Sequence, residues 1–396
     1  DVLGSRGLGD VYKRQLYKYK MKHSIIALTC VSLCAAGQTF ARNNISGHLS
    51  GIESDTILVQ SIQIDNNKNR SLDTIAMKNG KFAFTIDDAA LKQVYILAKP
   101  SSKPNPDGSI PAMSMKAASF LLFPGKPVTV TGSIDDYKVE GSDFYSEYAT
   151  FTDKLKPLNQ KIDSIRKHCT EMQKAGASNE EIQKAFSPAR DINNEIIEIR
   201  NTYINEHPDA DLSVYLLSQL PLEKLEGAMN VLSDNAKNGV MSPYYQSVKK
   251  NYDREVARKK AEEAVQPGNV APDFTLKTID GKDFSLSSLK GKYVVIDFWG
   301  SWCGWCIKGI PEMKKTYDKY KGKIEFVGVD SGDTEEDWKA AVKQHGLPWI
   351  NVINSEDPNV VALYGVRGFP TKFVIDPEGK VAKQIVGEDP EFYKYI

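Results

Sequence analysis

The chain has 396 residues, with 51 basic and 51 acidic side chains, 41% hydrophobic residues and 26% charged ones. That balance fits a folded protein of roughly two or three domains and excludes a disordered, collagenous or polytopic membrane chain. Zero formal net charge gives no sign of a nucleic-acid partner, and cysteines at positions 30, 34, 169, 303 and 306 alone are too few for a disulfide-stapled scaffold.

The first methionine is Met21, and residues 1–20 read as a non-native extension. Lys22 and His23 lead into the apolar run Ser24 to Ala36, which is too short to span a bilayer. Thr39-Phe40-Ala41 then puts small residues at the positions that define cleavage. A secretory signal peptide over 21–41 is expected, with export of a chain that starts near Arg42. Thr29 before Cys30 and Leu33 before Cys34 are poor lipidation contexts, so a lipoprotein is the lesser reading. No later stretch approaches about 18 consecutive apolar residues, and a soluble protein of the periplasm or cell envelope is expected.

Residues 42–141 alternate in the strand manner. Thr56 to Val59, Ser71 to Met77, Phe82 to Ile86, Val94 to Leu97 and Val128 to Val130 are short β-rich runs separated by Asn79-Gly80, Pro106-Asp107-Gly108 and Pro124-Gly125. They predict a small antiparallel, sandwich-like β domain with a polar loop from Pro100 to Pro111. Over 142–265 the period becomes helical. Phe144, Tyr148, Phe151, Leu155, Leu158, Ile162, Ile165, Cys169 and Met172 form an apolar stripe, with a kink or break expected at Pro157. Gln266-Pro267-Gly268 reads as a linker. From 266 to 396 strands alternate with helices and end in a hairpin turning at Asp376 to Gly379, which predicts a mixed α/β sheet. The fold class is therefore multidomain α+β.

The chemistry concentrates in Val294 to Cys306, where an apolar strand runs through Trp299-Gly300-Ser301-Trp302 into Cys303-Gly304-Trp305-Cys306 at a helix start. A thiol there faces unpaired N–H groups and the positive end of the helix dipole, which stabilise its thiolate. The second cysteine, three residues on, falls on the same helical face, within disulfide reach and less exposed.

These residues resemble the active-site segment of thioredoxin-like proteins. Val270 to Leu276, Gly291-Lys292 and Gly368-Phe369-Pro370-Thr371 resemble the TlpA/ResA-like branch of the AhpC/TSA superfamily. The resemblance covers residues 266–396, and the preceding β and helical regions resemble an uncharacterised module found before such domains in bacterial envelope proteins. It implies a thioredoxin fold, Cys303 as nucleophile, Cys306 as resolving cysteine and Asp297 as a buried proton relay. It further implies Pro370 as a cis-proline that turns the Phe369 backbone toward substrate, Trp299 and Trp302 as an aromatic flank, and Pro311 as a kink in the active-site helix. Substrate contacts are expected from Pro370, Phe369, Trp302 and Trp305. Two positions depart from the branch: Trp305 replaces a proline, and Gly309 replaces an acidic residue often found three after the second cysteine.

A zinc site needs four ligands, and beyond this CxxC only Cys169 and scattered histidines remain, so neither metal nor cofactor is expected. Cys169 on the helical stripe reads as a small core hydrophobe. A peroxidase needs Thr or Ser three residues before its reactive cysteine. Gly300 stands there for Cys303, and Cys303 for Cys306. The sequence thus predicts an exported thiol–disulfide oxidoreductase that reduces protein disulfides and draws electrons from a membrane partner. Cytochrome c maturation is one destination the resemblance allows. A thiol peroxidase and an envelope-binding module with a non-catalytic disulfide are the alternatives.

Overall fold

The computed structural model describes residues 43–65, 69–98 and 116–396. The extension 1–20, the signal-like segment 21–41 with Cys30 and Cys34, and the whole loop at 100–111 lie outside them. The chain divides into two compact units between Asn251 and Tyr252, upstream of the linker expected at 266–268.

The first unit opens with β1 (Ile45–Ser50), β2 (Thr56–Gln63), β3 (Arg70–Ala76), β4 (Lys81–Phe84), β5 (Lys92–Ala98), β6 (Ala117–Leu122), β7 (Val128–Ser133) and β8 (Tyr137–Glu140). They form two four-stranded sheets, ordered β4-β1-β7-β8 and β3-β2-β5-β6. The domain is not wholly antiparallel as expected, because β1 and β7 pair in parallel. Parallel neighbours need a crossover rather than a tight turn, and the intervening strands supply it by building the other sheet. In β2 and β4, buried positions alternate with partly or fully exposed ones, so each strand gives one face to a core.

Helices α1 (Asp143–Lys174), α2 (Asn179–Glu206), α3 (Asp211–Leu217), α4 (Leu222–Val231) and α5 (Asp234–Asn238) follow. The predicted stripe is the buried face of α1, including Phe144, Phe151, Leu155, Ile162 and Cys169. Pro157 does not break α1. It and Asp153, whose carbonyl loses its donor, both face solvent, where water can satisfy the freed oxygen. Tyr145 ties α1 to β6: Leu121 N–H donates to its hydroxyl (2.8 Å), which donates back to Leu121 O (2.6 Å). Such contacts join the helices to the β sheets, and the two are one unit.

Helix α6 (Ser242–Ala264) crosses into the second unit. Its last turns belong there, since Glu262 pairs with Arg367 and Val265, just past its end, is fully buried among Ala271, Phe274 and Tyr364. Then come β9 (Thr275–Thr278), β10 (Asp283–Ser285), β11 (Tyr293–Trp299), α7 (Gly304–Tyr320), β12 (Ile324–Asp330), α8 (Glu335–His345), β13 (Ile350–Ile353), α9 (Val360–Leu363), β14 (Thr371–Ile375), β15 (Val381–Val386) and α10 (Pro390–Tyr395). One seven-stranded sheet runs β10-β9-β13-β12-β11-β14-β15, with parallel pairs only at β11–β12 and β12–β13. The short β10 has no counterpart among the predicted strands.

Central strand β11 is buried on both faces after Tyr293. Val294, Ile296 and Phe298 enter one apolar core, and Val295 and Trp299 enter the other, which also holds both cysteines. The two-residue period of a strand therefore aims Asp297 at the cysteine side.

Candidate active site

The site is built where β11 meets α7. The strand ends at Trp299, three residues turn the chain, and Cys303 becomes the N-cap of α7. Its Sγ accepts a hydrogen bond of 3.1 Å from Cys306 N–H, one of the donors a helix start leaves free. Cys303 and Cys306 form a disulfide with Cα atoms 5.2 Å apart. Both are only 6% exposed, so the expected difference in exposure is absent. The bond lays each sulfur against the other, and the pair belongs to the buried core that also holds Trp299 and Met313, with Phe369 packed against that core.

Two indole rings stand beside the disulfide in solvent, with Trp302 53% and Trp305 65% exposed. Trp302 meets Phe369 edge to face at 5.2 Å and donates from Nε1 to Ser331 O at 2.9 Å. Lys308 Nζ lies 4.5 Å over the Trp305 ring. Trp299, expected on this flank, is buried instead, because strand alternation sends it into the core. A Cβ on Gly300 would lie 2.5 Å from Trp302 Nε1 and 2.9 Å from Ser331 O. The position that would orient a peroxide therefore has no room for threonine in this loop. Phe369–Pro370 is a cis peptide, as is Asp357–Pro358, which the sequence did not suggest. Pro370 O accepts from Gly387 N–H at 2.8 Å.

Asp297 lies in β11 directly opposite Lys372 of β14. The Lys372 ammonium, 3% exposed, is 3.6 Å from Asp297 Oδ1 and donates to Glu388 Oε2 at 2.8 Å. Burial pushes the Asp297 carboxyl above its ordinary range, Lys372 pulls it down, and Glu388 pushes it up again. Burial also works against the charge on Lys372, but the two carboxylates outweigh it and hold its pKa above the usual value. Tyr393 closes the group by donating to Glu388 Oε1.

A second acid pair braces the active-site loop. Asp333 accepts from Ser301 N–H and from Ser301 Oγ, both at 2.7 Å. Burial opposes its charge, yet Asp330 and Ser301 hold its pKa below the ordinary value. Asp330 is fully buried, and burial with the adjacent Asp333 pushes it up to about 8.

The structure thus joins Cys303 to Cys306 and Trp302 to Phe369, leaves Trp305 exposed, and puts Asp297 on the same face of β11 as Val295 and Trp299, whose core holds both cysteines. Lys372, Glu388, Tyr393, Asp330 and Asp333 were not anticipated. A lysine inside the apolar run Thr371 to Ile375 was the one available signal, since a charge is rarely buried without a partner.

Residues 267–384 match the AhpC/TSA family, and residues 44–148 match a domain of unknown function, DUF4369. Over 127 residues the chain is 41% identical to the thiol-disulfide oxidoreductase ResA of Bacillus anthracis, spanning 32% of this chain and 73% of that protein. ResA of Bacillus subtilis (strain 168) is 38% identical over 126 residues, 32% of this chain and 70% of that protein. A solved thioredoxin domain of a thiol-disulfide oxidoreductase from Bacteroides vulgatus is 36% identical, covering 33% of this chain and 94% of that one, with a TM-score of 0.31. Through its C-terminal unit, the chain belongs to the thiol-disulfide oxidoreductases of the AhpC/TSA family.

Proposed function

We propose that the protein reduces disulfides of other proteins outside the cytoplasm through the Cys303/Cys306 dithiol. The observation that carries this reading is Cys303 at the N-cap of α7, with Cys306 N–H directed at its sulfur. In the reduced protein, the Cys303 thiolate attacks a substrate disulfide, forming a mixed disulfide and releasing one substrate thiolate. Cys306 gives up its proton, with Asp297 as acceptor, and its thiolate attacks Cys303. The Cys303–substrate bond breaks, the second substrate thiolate leaves, and the protein is left oxidised. Extended substrate would lie along Phe369 and Pro370, with Trp302 and Trp305 supplying apolar contact.

Export is supported by the signal-like stretch 21–41, and no described helix is long and apolar enough to cross a membrane. A reductase in an oxidising compartment needs its dithiol recharged, so a membrane electron donor is part of the proposal. The test is insulin reduction by the full chain, with non-reducing electrophoresis of two variants recovered from the envelope. Cys306→Ser should accumulate mixed disulfides and Cys303→Ser none. The reverse pattern exchanges the roles of the two thiols, and trapping by neither, with no insulin reduction, overturns the reading.

A further inference from the structure

Gly309 lies three residues beyond Cys306, one turn along the same face of α7. A Cβ built on it would lie 2.5 Å from Glu388 Oε2, 2.6 Å from Cδ and 2.8 Å from Oε1. The carboxyl of Glu388, delivered by the turn between β15 and α10, therefore rests against the Gly309 backbone, in space that any other residue would fill. Its two oxygens are engaged on opposite sides. Oε1 accepts from Tyr393, whose hydroxyl also lies 3.4 Å from Gly309 O, and Oε2 accepts from Lys372.

Lys372 is the only cation shown paired with either Asp297 or Glu388 among the described residues. Asp297 Oδ1 is buried and has no hydrogen-bond partner, because 3.6 Å from the ammonium is too long for one. Lys372 thus lies nearer Glu388 than Asp297. The remaining polar groups around this set are the Tyr393 phenol of α10 and, next to it, Glu312 of α7.

We propose that Glu388 is a positioning residue for the resolving step: by retaining Lys372, it keeps Asp297 basic enough to take the proton of Cys306. This rests on the dithiol reading above. The Cys306 S–H bond breaks, its proton goes to Asp297, and the sulfur's electron pair forms the Cys303–Cys306 bond as substrate thiolate departs. Lys372 keeps its bond to Glu388 throughout, so the buried group never holds an ammonium without a counter-ion. Without the Glu388 charge, Lys372 turns wholly to Asp297, holds it ionised and makes it a poorer base.

The test is single-turnover oxidation of the reduced full chain by insulin between pH 5 and 9, with acid quenching and alkylation to follow disulfide closure. Glu388→Gln should slow closure at pH 7 about tenfold, short of what losing a positioned base costs, and should move the midpoint of its rise with pH downward. Gly309→Ala keeps every charge but pushes the Glu388 carboxyl aside, and should shift the profile the same way. The double variant Gly309→Glu with Glu388→Gln, which returns a carboxylate from the helix side, should restore the profile. Unchanged closure in Glu388→Gln, or slowing at every pH with a fixed midpoint, overturns the proposal and leaves a structural role. A parent chain that does not reduce insulin at all overturns the dithiol reading instead.

Discussion

Asp297 on β11 and Asp330 on β12 are buried carboxyl groups on neighbouring strands of one sheet, and both face the side where α7 packs. Burial raises both. Their neighbours differ. Asp330 has an acid beside it, and its pKa is pushed up to about 8. Asp297 has Lys372 beside it, with Glu388 competing for that cation. One site pairs two acids, and the other shares one cation between two acids. Desolvation raises the carboxyl in both cases, and the neighbour decides whether that rise is reinforced or opposed.

That contrast breaks most directly at Lys372. Lys372→Met would leave two acidic groups buried without a counter-ion, and should cost about 3–5 kcal/mol of stability at pH 7 by urea denaturation. A loss below about 1 kcal/mol would mean that Asp297 tolerates burial unaided, as Asp330 does. Asp330→Asn tests the other side. A carboxyl whose folded pKa lies near 8, against an unfolded value near 3.8, favours the fold most at low pH. That contribution is lost as pH rises through this window and is flat above it. Relative to Asp330→Asn, the parent should lose a few kcal/mol between pH 5 and 8.5, each unit of pKa difference being worth about 1.4 kcal/mol. Equal slopes for the two proteins would show that Asp330 is not the protonated member. Asp333→Asn should have the smallest effect, about 1–2 kcal/mol at pH 7, because Ser301 loses a charged acceptor for two hydrogen bonds. It should also move the Asp330 window to lower pH by removing the neighbouring charge. Urea titrations at several pH values read both effects.

What could be read in the sequence was local. A strand, a short turn and a helix start lie within a dozen residues of one another, so Cys303, Cys306 and their N-terminal placement followed from spacing, while Asp297 came only with the family resemblance. The rest depends on distant partners. Lys372 has meaning only once β14 is known to run antiparallel to β11 with residue 372 opposite 297. Glu388 meets Gly309 only because the hairpin β14–β15 returns the chain to α7. Gly309 could be read as a carboxylate lost, whereas the fold makes it the opening through which another arrives. The parallel pairing of β1 with β7 was equally hidden, since strand alternation states a period and not a neighbour.

The alternation of β11 also bears on how such a protein can change over generations. Each residue from Val294 to Trp299 serves one of two cores or the thiol side, so most substitutions there would be felt in folding before they could be selected for chemistry. Lys372 and Glu388 are carried instead by the C-terminal hairpin and its following turn. β14 is itself buried throughout and gives Phe373 and Ile375 to one core and Val374 to the other, so under the reading proposed above Glu388, in the turn after β15, is the member of the charge group least tied to the cores.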